Sequence, residues 1–381
     1  MPPGSTLTRD HLRMMAMAGA GFAGFAATLS ALPAWTAAQG GSATAAGAVT
    51  TVMLVATVLA QPLVPAMLRR LPTARAIAIG LLLLGLPSLA LLVASTGALL
   101  YAVCVVRGVG FAVLTVAGAV YITEVAPPER RGHATGLYGL SAGVPNVVLV
   151  PLSVLLVQQV GLWPVVLIAA LAPTLGAVVG WTAPRPANAA DQPAAPKGRL
   201  GVAIRGAAAP STVLLAATIA GGALVTIVPI EQPSGYLATV ALLAFGAASA
   251  LCRWVAGGWA DRVGIAHPLL GAALVLIAGI FALAAGLAAP SDPGVLAGAV
   301  LIGVAFGAVN SLTLVWTFHR VAAADRPVAS TVWNASFDAG TAIGAVLIGA
   351  LVSTSLGMWG AFAVLAGLVV LVLPLRPAKG E

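Results

Sequence analysis

The chain has 381 residues, 60% of them hydrophobic and only 7% charged, with a mean hydropathy of +1.05. Soluble domains carry about 25% charged residues, so this composition excludes a water-soluble protein and implies an integral membrane one. The net charge of +8 raises nucleic acid as a partner, and the placement of the charges argues against it.

Taken in chain order at about 20 residues per crossing, the apolar runs predict twelve helices and an all-α membrane fold. They cover residues 12–37, 43–68, 73–95, 98–125, 132–158, 161–182, 208–230, 235–259, 266–289, 294–320, 327–354 and 357–375. Most turns between them are short and carry Pro, Gly or charge. The stretch PRPANAADQPAAPKGRLG at 184–201 is the one long polar connection, and its Pro/Ala content reads as a flexible linker. The chain therefore divides into a six-helix bundle at 1–182, a cytoplasmic linker at 183–207 and a second six-helix bundle at 208–381.

The basic residues fix the expected orientation. Of 18 Lys and Arg, 16 fall at the ends or in alternate loops: Arg9, Arg13, Arg69, Arg70, Arg75, Arg130, Arg131, Arg185, Lys197, Arg199, Arg205, Arg262, Arg320, Arg326, Arg376 and Lys379. The opposite loops hold only Glu231 and Asp292 as charges. Cytoplasmic loops are enriched in Lys and Arg, so both termini are expected in the cytoplasm of a multi-pass protein in contact with lipid. Arg107 and Arg253 are the two exceptions. No signal peptide is expected, and Cys104 and Cys252, both within predicted helices, imply no disulfide framework.

The two halves repeat. A shift of 195 residues lays GVGFAVLTVAG (108–118) over GVAFGAVNSLT (303–313), and sets Tyr121 on Trp316, Arg131 on Arg326, Tyr138 on Trp333 and Ser141 on Ser336. Both halves begin on the same side, so the repeat is parallel, about an axis along the membrane normal. Two charges break it. Arg107 falls on Ile302, and Asp338, in VWNASFDAGTAIGAVLIG (332–349), falls on Gly143. An aspartate at the centre of a membrane helix costs roughly 2.5–3.5 kcal/mol on insertion scales, and duplication of a scaffold does not explain it. At 1.5 Å per residue Arg107 lies roughly 14 Å from the outer end of its helix and Asp338 roughly 16 Å from the inner end of its own. Both are expected near the midplane.

Three motif regions resemble one known family. The loop AGGWADRVGIAHPLLG (256–271) carries Gly257, Asp261, Arg262 and Gly264 in a G-x-x-x-D-R-x-G spacing. Arg107 opens RGVGFAVLTVAGAVYITEVAPPERRGHATG (107–136), an Arg followed by Gly-rich sequence and a P-x-x-R-x-G loop that contains Arg130 and Arg131. GLYGLSAGVPNVVLVP (136–151) is a loose version of a G-x-x-x-G-P pattern, with Val144 inserted before Pro145. With the helix number and linker, these resemble the major facilitator superfamily over nearly the whole chain, in its drug and metabolite exporter branch. The first-half loop QPLVPAMLRRLPTARAIAIG (61–80) departs from the signature. Arg69 takes the place of its acid and Pro72 that of its glycine, with Arg70 and Arg75 supplying the basic part. The family's Asp latch is thus expected in the second half only.

The resemblance implies two six-helix bundles, a central cavity lined mainly by helices 1, 4, 7 and 10, alternating access and a monomer. For Arg107 the residues leave two readings, a cavity-lining cation and a structural brace between helices. For Asp338 they leave three: a proton site, a gate contact and a salt bridge. A carboxylate whose surroundings change with conformation changes its proton affinity, which is what coupling requires. Asn310, on the tenth helix, is a candidate substrate contact, with Asn146 and Asn334 behind it; Glu124 is expected to pair at a loop edge or snorkel. His11, His133, His267 and His319 lack metal-ligand spacing, and no cofactor is expected. The chain has neither a phosphate-binding loop nor a G-x-S-x-G nucleophile pattern, which argues against an ATPase or hydrolase.

The expectation is a secondary transporter driven by the proton gradient, exporting a small apolar or amphipathic compound. Import or uniport of a small metabolite or sugar is the alternative within transport. A receptor or enzyme that has kept the scaffold and lost transport is the alternative outside it.

Overall fold

The computed structural model describes residues 9–93, 96–125, 131–183, 200–233, 236–289, 291–322, 325–375 and 377. In chain order the helices are α1 Arg9–Ala38, α2 Ala43–Leu68, α3 Thr73–Leu92, α4 Gly97–Val125, α5 Arg131–Gln159, α6 Trp163–Thr182, α7 Leu200–Glu231, α8 Leu237–Val263, α9 Ala266–Ala288, α10 Asp292–Arg320, α11 Arg326–Val352 and α12 Gly357–Val372. Among the described residues, eleven stretches are long and apolar enough to cross a membrane, and Leu237–Arg253 of α8 is a shorter apolar twelfth. The chain is an all-α membrane protein with twelve transmembrane helices.

Proline accounts for the irregular stretches. Helix α1 has a turn at Ser30 between Arg9–Leu29 and Ala31–Ala38, where Pro33 cannot donate to the Leu29 carbonyl. Helix α3 is α-helical to Gly85 and tightens to a 3₁₀ stretch over Leu86–Leu92, with Pro87 in its first turn. The apolar run alone predicts a single helix over 73–95. Helix α7 starts at 200, eight residues before the predicted start at 208, so it takes in residues assigned to the linker. Ala203 and Ala207 are fully buried at an i, i+4 spacing and pack with Val321 and Ala329. That contact carries the helix past the point where hydropathy alone ends it. Gly264, the last glycine of the loop signature, follows the end of α8 with φ 76°, a conformation that favours glycine and stops the helix.

The described chain forms two compact units, Met1–Ala31 with Val55–Ala195, and Leu32–Leu54 with Pro196–Glu381. Lipid offers no hydrophobic drive for helices to associate, so small residues that admit close backbone approach set the contacts. In the first unit a methyl at Gly110 on α4 would overlap the Gly80 carbonyl of α3, and one at Gly24 on α1 would overlap Pro173 of α6. The Thr57 hydroxyl of α2 donates to the Gly108 carbonyl of α4 at 3.0 Å. In the second unit Gly303 and Gly307 bring α10 onto the Phe245 and Ser249 carbonyls of α8, while Gly340 and Gly344 bring α11 onto α7. The segment Leu32–Leu54 packs on α11 in the same way. Gly47 abuts Ala345, Gly349 abuts Ala43, and Thr51 Oγ1 donates to the Ala342 carbonyl at 2.6 Å.

Candidate functional site

Arg107 is fully buried within the first unit. Its guanidinium donates to the Gly24 carbonyl at 3.0 Å and Thr28 Oγ1 at 2.7 Å on α1, and to Ser88 Oγ on α3. Thr28 and Ser88 pass their own hydroxyl protons to the Phe25 and Leu84 carbonyls, so each accepts from Arg107 without losing its donor's partner. The cation joins α1, α3 and α4 through neutral groups, and its Nε has no acceptor among the described residues. These partners were not legible beforehand. Gly24 and Thr28 lie about eighty residues away in the chain, and Ser88 is brought into place by the 3₁₀ stretch at Pro87.

A ring cluster surrounds the next turn of α4. Phe111 stacks on Phe25 of α1, with centroids 4.2 Å apart and planes 8° apart, and meets Phe22 edge-on at 5.4 Å. Phe22 also meets Tyr138 of α5 at 6.3 Å. Phe111 and Phe25 are buried. The signal was present in the repeat, which aligns Phe111 with Phe306 as well as Tyr138 with Trp333.

The second unit builds its own cluster on those aligned positions. Phe306 on α10 meets Phe245 of α8 at 5.3 Å and 62°, and Phe337 of α11 at 5.7 Å and 72°. Phe337 lies 6.4 Å from Trp333, whose Nε1 donates to Thr313 Oγ1 on α10 at 3.1 Å. Phe245, Phe306 and Phe337 are all half-buried. Residues 306, 310 and 313 follow each other at helical spacing. Phe306 and Thr313 both touch α11, so Asn310 lies on the stripe between them. Its side chain is only 2% exposed, and Oδ1 receives no hydrogen bond from the described residues.

Asp338 follows Phe337 on α11 and is buried, 8% exposed, within the crossing Val328–Val352. The other two asparagines are spent locally. Asn146 Nδ2 donates to the Ala142 carbonyl at 2.8 Å and Asn334 Nδ2 to the Ser330 carbonyl at 2.9 Å, each one turn back on its own helix. The structure therefore sets Asn310 one turn beyond Phe306 on α10, and brings Arg107 together with α1 and α3 of its own unit.

Among the loop residues, Arg69 and Arg70 are exposed. Arg69 reaches back to the Pro65 carbonyl at 3.5 Å. Arg130 lies outside the described residues, as do the side chains of Arg131, Asp261 and Arg262 and the surroundings of Gly257. Glu124, beyond the apolar part of α4, accepts from Thr73 Oγ1 at 2.6 Å. Burial pushes its carboxyl above the usual range, and the Thr73 hydrogen bond offsets part of that.

A sequence model described as Major Facilitator Superfamily matches residues 14–323 and 241–379. No curated protein matches the chain. Solved structures share its fold at low identity. The nucleoside transporter NupG is 13% identical over 96% of this chain and 98% of its own, with a TM-score of 0.74. The D-xylose-proton symporter is 13% identical over 97% and 98%, also at 0.74. A bacterial homologue of the human lysosomal transporter Spinster, inward-facing and unoccupied, is 15% identical over 96% and 94%, at 0.72.

Proposed function

The chain belongs to the major facilitator superfamily of membrane transporters, and from that premise we propose that it is a proton-coupled secondary transporter working by alternating access. It exports a small, largely apolar or amphipathic compound across the cell membrane. The observation that carries the coupling is Asp338, a carboxylate buried on a membrane-crossing helix. Charged groups at that depth are costly and mark ion or substrate pathways. A conformational change that alters its surroundings alters its proton affinity, and linkage then ties proton binding to the transport cycle. The fold shared with a D-xylose-proton symporter is one that accommodates proton coupling; the likeness extends to the fold and no further.

The other assignments follow from charge and polarity. Export of an apolar or amphipathic compound is supported by the scarcity of charge in the crossings, since each buried polar group without a partner is costly. Arg107 serves the pathway from within the first bundle, holding α1, α3 and α4 together while they move. Asn310 contacts the substrate, with Asn146 and Asn334 as lesser contributors whose amide donors are already engaged. The loop of Gly257, Asp261, Arg262 and Gly264 latches one conformation, and the basic Arg69, Arg70, Arg130 and Arg131 belong to the corresponding loops of the first bundle. Residues 1–182 and 208–381 act as the two moving bundles, joined by the cytoplasmic linker at 183–207. Both termini are cytoplasmic by the distribution of Lys and Arg, and the monomer is the working unit.

Flux in proteoliposomes under an imposed pH gradient tests this reading. Gradient-driven flux that falls to the no-gradient level in Asp338→Asn is the expected result. Flux that ignores the gradient, or is unchanged in that variant, overturns the coupling.

A further inference from the structure

The two ring clusters differ in one respect that assigns a ligand class. In the first unit Phe111 has a ring lying flat on it: Phe25, 4.2 Å away and 8° from parallel. In the second unit the aligned residue, Phe306, meets its neighbours only edge-on, at 62° and 72°, and no ring lies parallel to it among the described residues. Helix α7 brings a glycine, Gly221, to the Phe306 ring, where α1 brings Phe22 and Phe25 to Phe111. Phe306 is accordingly half-buried where Phe111 is buried.

Next to this half-buried ring, which no other ring covers face-on among the described residues, lies an unused acceptor. Asn310 is four residues beyond Phe306, on the stripe of α10 that meets Phe337 and Trp333, and its Oδ1 takes no hydrogen bond from the described residues although the side chain is 2% exposed. A buried acceptor without a donor is costly in the empty protein and attractive to any donor that reaches it. The neighbouring donor is already committed, because Trp333 Nε1 points to Thr313 Oγ1 at 3.1 Å.

We propose that the second unit binds a planar aromatic compound that bears one O–H or N–H donor. Its ring stacks on Phe306 between Phe245 and Phe337, as Phe25 stacks on Phe111, and its donor hydrogen-bonds to Asn310 Oδ1. The inference rests on the transport reading only in naming the class of compound that this transporter carries. The half-site is a property of the second unit and stands or falls by binding alone.

Calorimetric titration of the purified full chain, with empty detergent micelles as the blank, provides the test. The probes are 2-naphthol, its saturated counterpart decahydro-2-naphthol, and naphthalene, which has the rings and lacks the donor. Off-centre ring stacking and edge contacts add to simple burial, so 2-naphthol is expected to bind about tenfold tighter than the saturated alcohol. Phe306→Leu is expected to remove that preference while binding of the saturated alcohol persists, which shows that the protein is folded. Phe111→Leu, the same change in the first unit, is expected to leave the preference intact. Asn310→Ala is expected to weaken 2-naphthol toward naphthalene and leave naphthalene unchanged.

Equal affinity for the flat and saturated alcohols overturns the proposal. So does binding of neither, or a loss of preference in Phe111→Leu that matches the loss in Phe306→Leu. No gradient is applied, so failure of the transport reading leaves these results standing. Gradient-driven flux in proteoliposomes, together with equal binding of the flat and saturated alcohols, would sink this inference and spare that reading.

Discussion

Helices α4 and α5 of the first unit and α10 and α11 of the second are two copies of one design, and the places where they part are informative. Gly108 and Gly303 occupy matching positions, and each lies where its helix meets a neighbour, α2 in one unit and α8 in the other. Phe111 matches Phe306 and Tyr138 matches Trp333, and each set forms a ring cluster. At the position of Arg107 the other copy has Ile302, which is just as buried and packs on Gly279. At the position of Asp338 the other copy has Gly143, with open space where a side chain would begin. The bundle thus forms with or without charge at these points. The charges are additions, each fitted to its own unit.

Exchanging residues between the copies tests that statement, and the largest effect is expected from Ile302→Arg. It places a cation at a buried position packed on Gly279, and an uncompensated buried charge costs on the order of 3–5 kcal/mol. Size-exclusion chromatography should show loss of folded protein; a monodisperse peak at wild-type yield would contradict it. The reverse exchange, Arg107→Ile, should keep the fold, because Thr28 and Ser88 retain their own carbonyl partners. Transport should nevertheless fall by about tenfold or more, as it should in Arg107→Ala. Wild-type flux in either variant would leave Arg107 with no part in transport.

Ring removal comes next in size. Phe25→Ala strips the covering ring from a buried stack and should cost about 3–5 kcal/mol, seen as a lowered thermal unfolding midpoint. Phe306→Ala, on a half-buried ring met only edge-on, should cost clearly less. Equal losses would mean that the two clusters are equally closed. The smallest contrast lies one turn away. Trp333→Phe gives up the hydrogen bond to Thr313 and should cost about 1 kcal/mol. Tyr138→Phe should cost close to nothing, because no hydrogen bond joins the Tyr138 hydroxyl to the described residues. Unfolding midpoints of the two variants make the comparison.

Much of this architecture was legible before the structure. Apolar run length fixes a crossing almost by itself, because a single apolar segment can satisfy its own backbone groups in lipid only as a helix; eleven of the spans and the twelfth apolar stretch fall where such runs lie. The family, too, could be read from the loop around Gly264 and from helix number. Local detail was less accessible. Pro87 marks a change of helix type, yet only the fold shows that the tightened turn delivers Ser88 to Arg107. The early start of α7 depends on Ala203 and Ala207 finding Val321 and Ala329, more than a hundred residues on, and hydropathy cannot see such a contact. Asn310, Asn146 and Asn334 look alike as polar residues in apolar helices. What separates them is whether a carbonyl one turn back takes the amide, which it does for two, while the third is left with an open acceptor.

Proton coupling depends most on Asp338 exchanging its proton while the protein is folded. Infrared difference spectra of the carboxyl C=O stretch, taken as a function of pH in membranes, observe that exchange directly, with Asp338→Asn as the blank. A carboxyl band that titrates in the wild-type protein and is missing from the variant is the expected result. Spectra that superimpose for the two proteins across the whole pH range in which both stay folded would contradict it.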